Sequence, residues 1–93
     1  METKHTPAPW YVHSTGQHWN NPELENIMIC YGKNDEAICD TVYNRDDANL
    51  IAAAPELLEA LELYFLAEKQ GIDIRGTGFK TKAKMAIAKA RGI

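Results

Sequence analysis

The chain lacks the short-range spacings that announce chemistry. No Cys-x-x-Cys, His-x-x-x-His, Gly-x-Ser-x-Gly or phosphate-loop pattern occurs, and only two cysteines and three histidines stand among its 93 residues. A tetrahedral metal site is preset by closely spaced ligands. His5, His13, His18, Cys30 and Cys39 stand singly, so no metal site is expected and no cofactor is implied. The opening Met-Glu-Thr-Lys-His-Thr-Pro has no apolar run of the kind a secretory signal needs, and the one long apolar stretch is studded with glutamates. The expectation is a cytoplasmic protein with no membrane span. Cys30 and Cys39 then read as two small, reduced, buried residues on neighbouring strands, with a disulfide as the geometric alternative. There is also no internal repeat, low-complexity tract or linker, which leaves one domain over residues 1–93, with a single modest core that buries roughly two-thirds of the unfolded chain's surface.

What is present is ordinary globular composition, 45% hydrophobic and 25% charged. A net charge of −3 gives no general attraction to nucleic acid or anionic membrane. The sign is unevenly spread. Acids prevail up to Gln70, whereas from Gly71 onward Asp73 faces Arg75, Lys80, Lys82, Lys84, Lys89 and Arg91.

The chain is organised around the stretch from Asn49 to Leu61. Leu50, Ile51, Ala54, Leu57, Leu58, Leu61, Tyr64 and Phe65 recur at steps of three and four, which predicts a helix with one apolar face, read here as the core seam. Glu56, Glu59 and Glu62 fall on another side. Pro55 lacks a backbone donor and crowds the carbonyl of Ile51, so the helix must kink there or restart with Pro55 as its first residue. Because the apolar phase runs through Pro55, a kinked continuous helix is expected. Asn44 caps it, Asp46 and Asp47 meet the positive end of its dipole, and Gln70-Gly71 stops it.

Before this helix the sequence is β-rich. Pro7 and Pro9 hold the opening extended and deliver Trp10 at a fixed point. A strand or loose hairpin begins at Trp10 and closes at Asn20-Asn21-Pro22. Ile27–Tyr31 and Ala37–Tyr43 read as strands joined by a turn at Gly32–Asp35. After the helix, Ile72–Gly78 reads as a glycine-bearing loop with Ile72 and Ile74 tucked inward. A last helix from Phe79 to about Ala90 then turns its lysines outward and ends at Gly92. An acidic helix followed by a basic one suggests an antiparallel pair. The fold class is therefore α+β: a small antiparallel sheet of about three strands, a long proline-kinked helix and a C-terminal helix.

Two stretches, His5-Thr6-Pro7-Ala8-Pro9-Trp10 and Ala48–Leu61 with its Ala-Pro-Glu-Leu-Leu-Glu-Ala-Leu run, resemble a family of short proteins encoded by bacteriophages and prophages. The ending Ala86-Ile87-Ala88-Lys89-Ala90 is also similar to that family's tail. In such relatives the motifs bracket a variable β-rich middle, here about Tyr11 to Tyr43. This chain departs from them at Ala48, Asn49 and Leu50, where relatives usually carry a basic or polar residue between the asparagine and the leucine. The resemblance implies a setting among phage accessory genes and no particular reaction.

No catalytic constellation is expected, because Asp40, Asp46 and Asp47 are better explained by a helix start than by acid–base work. His5 reads as structural, hydrogen-bonded to backbone and packed on Trp10. Trp10, Tyr11, Trp19, Tyr31 and Tyr43 together exceed what so small a sheet buries from one side, so Trp19, Tyr31 and Tyr43 are the candidate contacts for a partner. That partner is expected to be a host protein, with a homo-oligomer as a further option. Gly76, Gly78, Lys80 and Lys82 form the candidate anion site, at a glycine turn opening a helix, which would suit a nucleotide-binding or sequestering protein. A purely structural, self-assembling role is the third reading. Nucleic acid is not an expected partner.

Overall fold

A computed structural model describes residues 4–17, 20–21 and 23–93. Three strands, β1 (Trp10–Gln17), β2 (Glu25–Tyr31) and β3 (Glu36–Val42), form an antiparallel sheet in the order β1-β2-β3. They are followed by α1 (Arg45–Ala52), α2 (Ala54–Gln70), a short 3-10 turn at Ile74–Gly76, and α3 (Phe79–Arg91). The α+β class expected from the sequence is the observed one.

Register decides which residues share a face. Trp10 pairs with Tyr31 and Val12 with Ile29 across β1 and β2, and Ile29 with Cys39 and Ile27 with Val42 across β2 and β3. Cross-strand partners point the same way. This face meets α1, and the core is Ile27, Ile29, Ala48 and Ala52, with Trp10, Val12, Ile38, Cys39, Val42 and Ile51 packed around it. Both cysteines are free thiols, Cys30 buried and Cys39 half-buried. Burial pushes the Cys30 thiol up from its ordinary pKa.

Asn44 caps α1 as its residue type suggests, its side-chain oxygen accepting the Asp47 amide at 3.0 Å. Arg45 in the first turn grips Glu25 at the start of β2 through two contacts, 3.2 Å and 2.5 Å. The helix and sheet are thereby joined at their shared end.

The continuous kinked helix is corrected by the structure. Helix α1 ends at Ala52 and α2 begins at Ala54, with Ala53 between them as a cap and Pro55 in the first turn of the new helix. The missing donor of Pro55 is harmless in a first turn and disruptive in an interior, so the chain takes the restart. Helix α3 then runs back antiparallel to α2 and on toward α1. Phe79 lies against Tyr64, Lys89 reaches Glu56, and Gly92 sits beside Asn49.

The expected core seam is also corrected. Leu57 is half-buried, but Leu58 is 42% exposed, Leu61 58% and Phe65 65%. The buried residues of α2 and α3 include alanines instead, Ala60, Ala67 and Ala86, beside the Tyr64–Phe79 ring contact and the Glu56–Lys89 and Glu59–Lys82 pairs. Small residues let two helices approach closely, and a helix that is apolar nearly all round shows one neighbour only part of its girth. Ile72, expected inside, is 49% exposed, because Gly71 turns the chain outward in the left-handed region at φ 69.

Candidate functional site

Helices cover one face of the sheet. On the other, Met28 alternates with Ile27 and Ile29 and stands across from His13, so both belong to the open face. A depression of about 250 Å³ forms there, bordered by Thr15, Asn26, Met28, Asp40, Thr41 and Tyr43. Two irregularities shape it. β1 bulges between Ser14 and Gly16, and the β2–β3 pairing slips between Ile27 and Ile29. At the second slip Thr41 holds φ 66, a left-handed backbone that a β-branched residue rarely adopts. A bulge re-aims neighbouring side chains, and here it sets Asp40, Thr41 and Tyr43 around one concavity.

The tyrosines near the other end of the sheet are tied to the β2–β3 turn. The Tyr11 hydroxyl donates to the Gly32 carbonyl at 3.0 Å and to the Asp35 carboxylate, and the Tyr31 hydroxyl donates to Glu36 at 2.6 Å. The bond to Asp35 is the main reason that the Tyr11 pKa is pushed up to about 12, and the bond to Glu36 raises that of Tyr31. Tyr31 and Tyr43, grouped by the sequence reading, therefore stand at opposite ends of the hairpin, Tyr43 beside the depression and Tyr31 by the turn. Trp19 lies outside the described residues.

A second concavity joins distant parts of the chain. The opening segment folds onto the start of α2, and a cleft of about 360 Å³ is lined by His5, Pro7, Ala8, Pro55, Leu58, Glu59 and Glu62. His5 Nδ1 lies 2.8 Å from the Thr6 carbonyl, which also accepts the Trp10 indole N–H at 3.0 Å. The His5 ring meets the Trp10 ring edge-on at 6.1 Å. The imidazole thus braces Trp10 while it lines the cleft. No spacing rule finds this site, because its halves are some fifty residues apart; the prolines at 7, 9 and 55 were the signal available.

At the glycine turn, Gly78 caps α3 with φ 77, and the Thr77 hydroxyl both donates to the Ile74 carbonyl at 2.6 Å and accepts from the Phe79 amide at 3.3 Å. Lys82 Nζ lies 2.6 Å from Glu59 Oε1 on α2, away from the turn, whereas Lys80 is exposed. The four residues of the candidate anion site are thus divided between the turn and an interhelical ion pair. Among the described residues no three His, Cys, Asp or Glu side chains come together as a metal site.

The whole chain, residues 1–93, matches a family model described as Salmonella phage P22 protein Y8K6. The chain belongs to that family. No curated protein and no solved structure matches it. This Y8K6-family member is a phage protein, and its opening segment and the stretch around Pro55 meet in space at the 360 Å³ cleft. Among the described residues of this Y8K6-family chain, no helix is long and apolar enough to cross a membrane.

Proposed function

We propose that this Y8K6-family protein is a non-catalytic phage accessory protein that binds a host protein in the host cytoplasm and modulates it, a component of anti-phage defence being the kind of target that fits. The observation that carries the reading is the open face of the sheet. A fold that covers one face with helices and shapes the other into a concavity around Tyr43, Met28 and Asp40 presents a mixed apolar and polar surface of the kind proteins use on one another. The phage family supplies the setting.

The test is affinity capture of the tagged protein from a bacterial host lysate, with Asp40→Lys and Tyr43→Ala as comparisons. Both positions are exposed, so both variants keep the fold, which a thermal melt verifies. The expected result is one stoichiometric host protein that is captured by the parent chain and lost from both variants. Capture that is unaffected by either substitution counts against the reading. The nucleotide-sequestering alternative would require Lys82 to leave Glu59, and stabilisation of the protein by a panel of nucleotides would favour it.

A further inference from the structure

Past its first turns, where Leu58 lines the cleft with the opening segment, one face of α2 has no neighbour among the described residues. On a helix that advances about 100° per residue, Leu58, Leu61 and Phe65 fall within about 60° of one another, on the side opposite Ala60 and Ala67, which meet α3. All three are between 42% and 65% exposed. Three such side chains offer roughly 300 Å² of apolar surface, at the scale where a patch on a single chain marks an interaction site.

We propose that this face pairs with the same face of a second copy, the two α2 helices lying antiparallel about a two-fold axis near the middle of the helix. The axis brings Leu61 onto the partner's Phe65, and Phe65 onto the partner's Leu61, which is the self-complementarity that a two-fold interface needs. Area is consistent with a pair. Two copies of the stripe bury roughly 600 Å², and the flanks contributed by Leu57, Glu62 and Lys69 bring the total toward the about 1,000 Å² that a specific interface must clear. Charge sets the direction. Glu59 and Glu62 occupy the first half of α2 and Lys69 its last turn, with Lys69 and Glu62 both bordering the stripe. An antiparallel pair delivers each Lys69 to the glutamate-bearing half of its partner and opposes the two helix dipoles. A parallel pair would stack each glutamate on its own copy. Glu68 borders the stripe on its other side, about 20° beyond Leu61, where an antiparallel pair sets it toward the partner's Leu57 and away from its own copy.

The interface lies on the arm formed by α2 and α3, away from the open sheet face, so self-association and host-protein binding fail independently. The experiment is sedimentation equilibrium of the purified chain over a dilution series, with melting temperature recorded at each concentration. The expected mass is that of two chains, and the melting temperature climbs with concentration. Phe65→Glu and Leu61→Glu, both at exposed positions, give the mass of one chain, an unchanged far-ultraviolet circular dichroism spectrum and a concentration-independent melt. Lys69→Glu weakens the dimer by about tenfold, and Glu62→Lys in the same chain recovers most of that loss. A single-chain mass at every concentration overturns the proposal, as does a dimer indifferent to Phe65→Glu. A monomer that captures a host protein through Phe65 also overturns it, by showing a different occupant on this face.

Discussion

Lys89, near the end of α3, reaches back to Glu56 in the first turn of α2 at 2.6 Å, and each side chain is less than a third exposed. The other interhelical pair, Lys82 with Glu59, has the same length, but both of its side chains are about half exposed. Equal distances conceal unequal energetics, because the second Glu56 oxygen is shut off from solvent with no hydrogen-bond partner. Removing the ammonium leaves that carboxylate desolvated and unpaired. Lys89→Met is expected to destabilise by about 1–2 kcal/mol and Lys82→Met by less than about 0.5 kcal/mol, read from urea denaturation. Adding Glu56→Gln to Lys89→Met should recover part of the loss.

The division between core and exposed leucines makes a second contrast. Ile29 is fully buried beneath α1, so Ile29→Ala should cost about 2–5 kcal/mol, a large share of the stability of so small a domain. Leu58→Ala should cost about 1 kcal/mol in the isolated chain, because much of that side chain already faces water. The two unfolding midpoints in urea, measured at low protein concentration, check both values.

The Asn44 cap is an independent element of stability. Asn44→Ala frees the Asp47 amide and should lower stability by about 1 kcal/mol, whereas Asn44→Ser should stay within a few tenths of the parent, since serine caps equally well. Chemical denaturation of the three proteins side by side decides it.

Local signals in the sequence were reliable where the physics is local. Asn44, Gly71 and Gly92 stand where the helices start and stop, and the Gly32–Asp35 turn joins β2 to β3. Each of those features is set within a few residues. The failures were tertiary. Periodicity marked Leu58, Leu61 and Phe65 as an apolar face but could not show that alanines would take the contact with α3. At Pro55 the unbroken apolar phase pointed to a kinked continuous helix, whereas the structure restarts the helix there, because the periodicity of side chains does not register the missing backbone donor. The candidate site was the least legible part. The open-face depression depends on register slips near Ser14 and Thr41, and the cleft at His5 depends on a fold-back across some fifty residues.

Titration of the tyrosines offers a pH test. The folded Tyr11 pKa, about 12, lies above the ordinary 10.0, so the bond from its hydroxyl to Asp35 contributes fully below pH 10 and is lost as pH rises from 10 through about 12. Absorbance of tyrosinate should therefore show one group that ionises near 12 in the native protein. Asp35→Gly keeps the positive φ of that turn position and removes the carboxylate, so the late group should move back toward 10. A titration curve unchanged by Asp35→Gly would refute the assignment.

Helix α3 lies along both α1 and α2, spanning the break at Ala53 from Gly92 beside Asn49 to Phe79 beside Tyr64. It acts as a splint over a joint. The sheet end and the helical arm, set out along the 55 Å length of the molecule, are tied together through α3, which packs on both helices, more than through the short joint at Ala53. Anything that loosens the last turns of α3 would turn the arm from a strut into a lever, and would change the reach between the open sheet face and the apolar stripe without altering either surface.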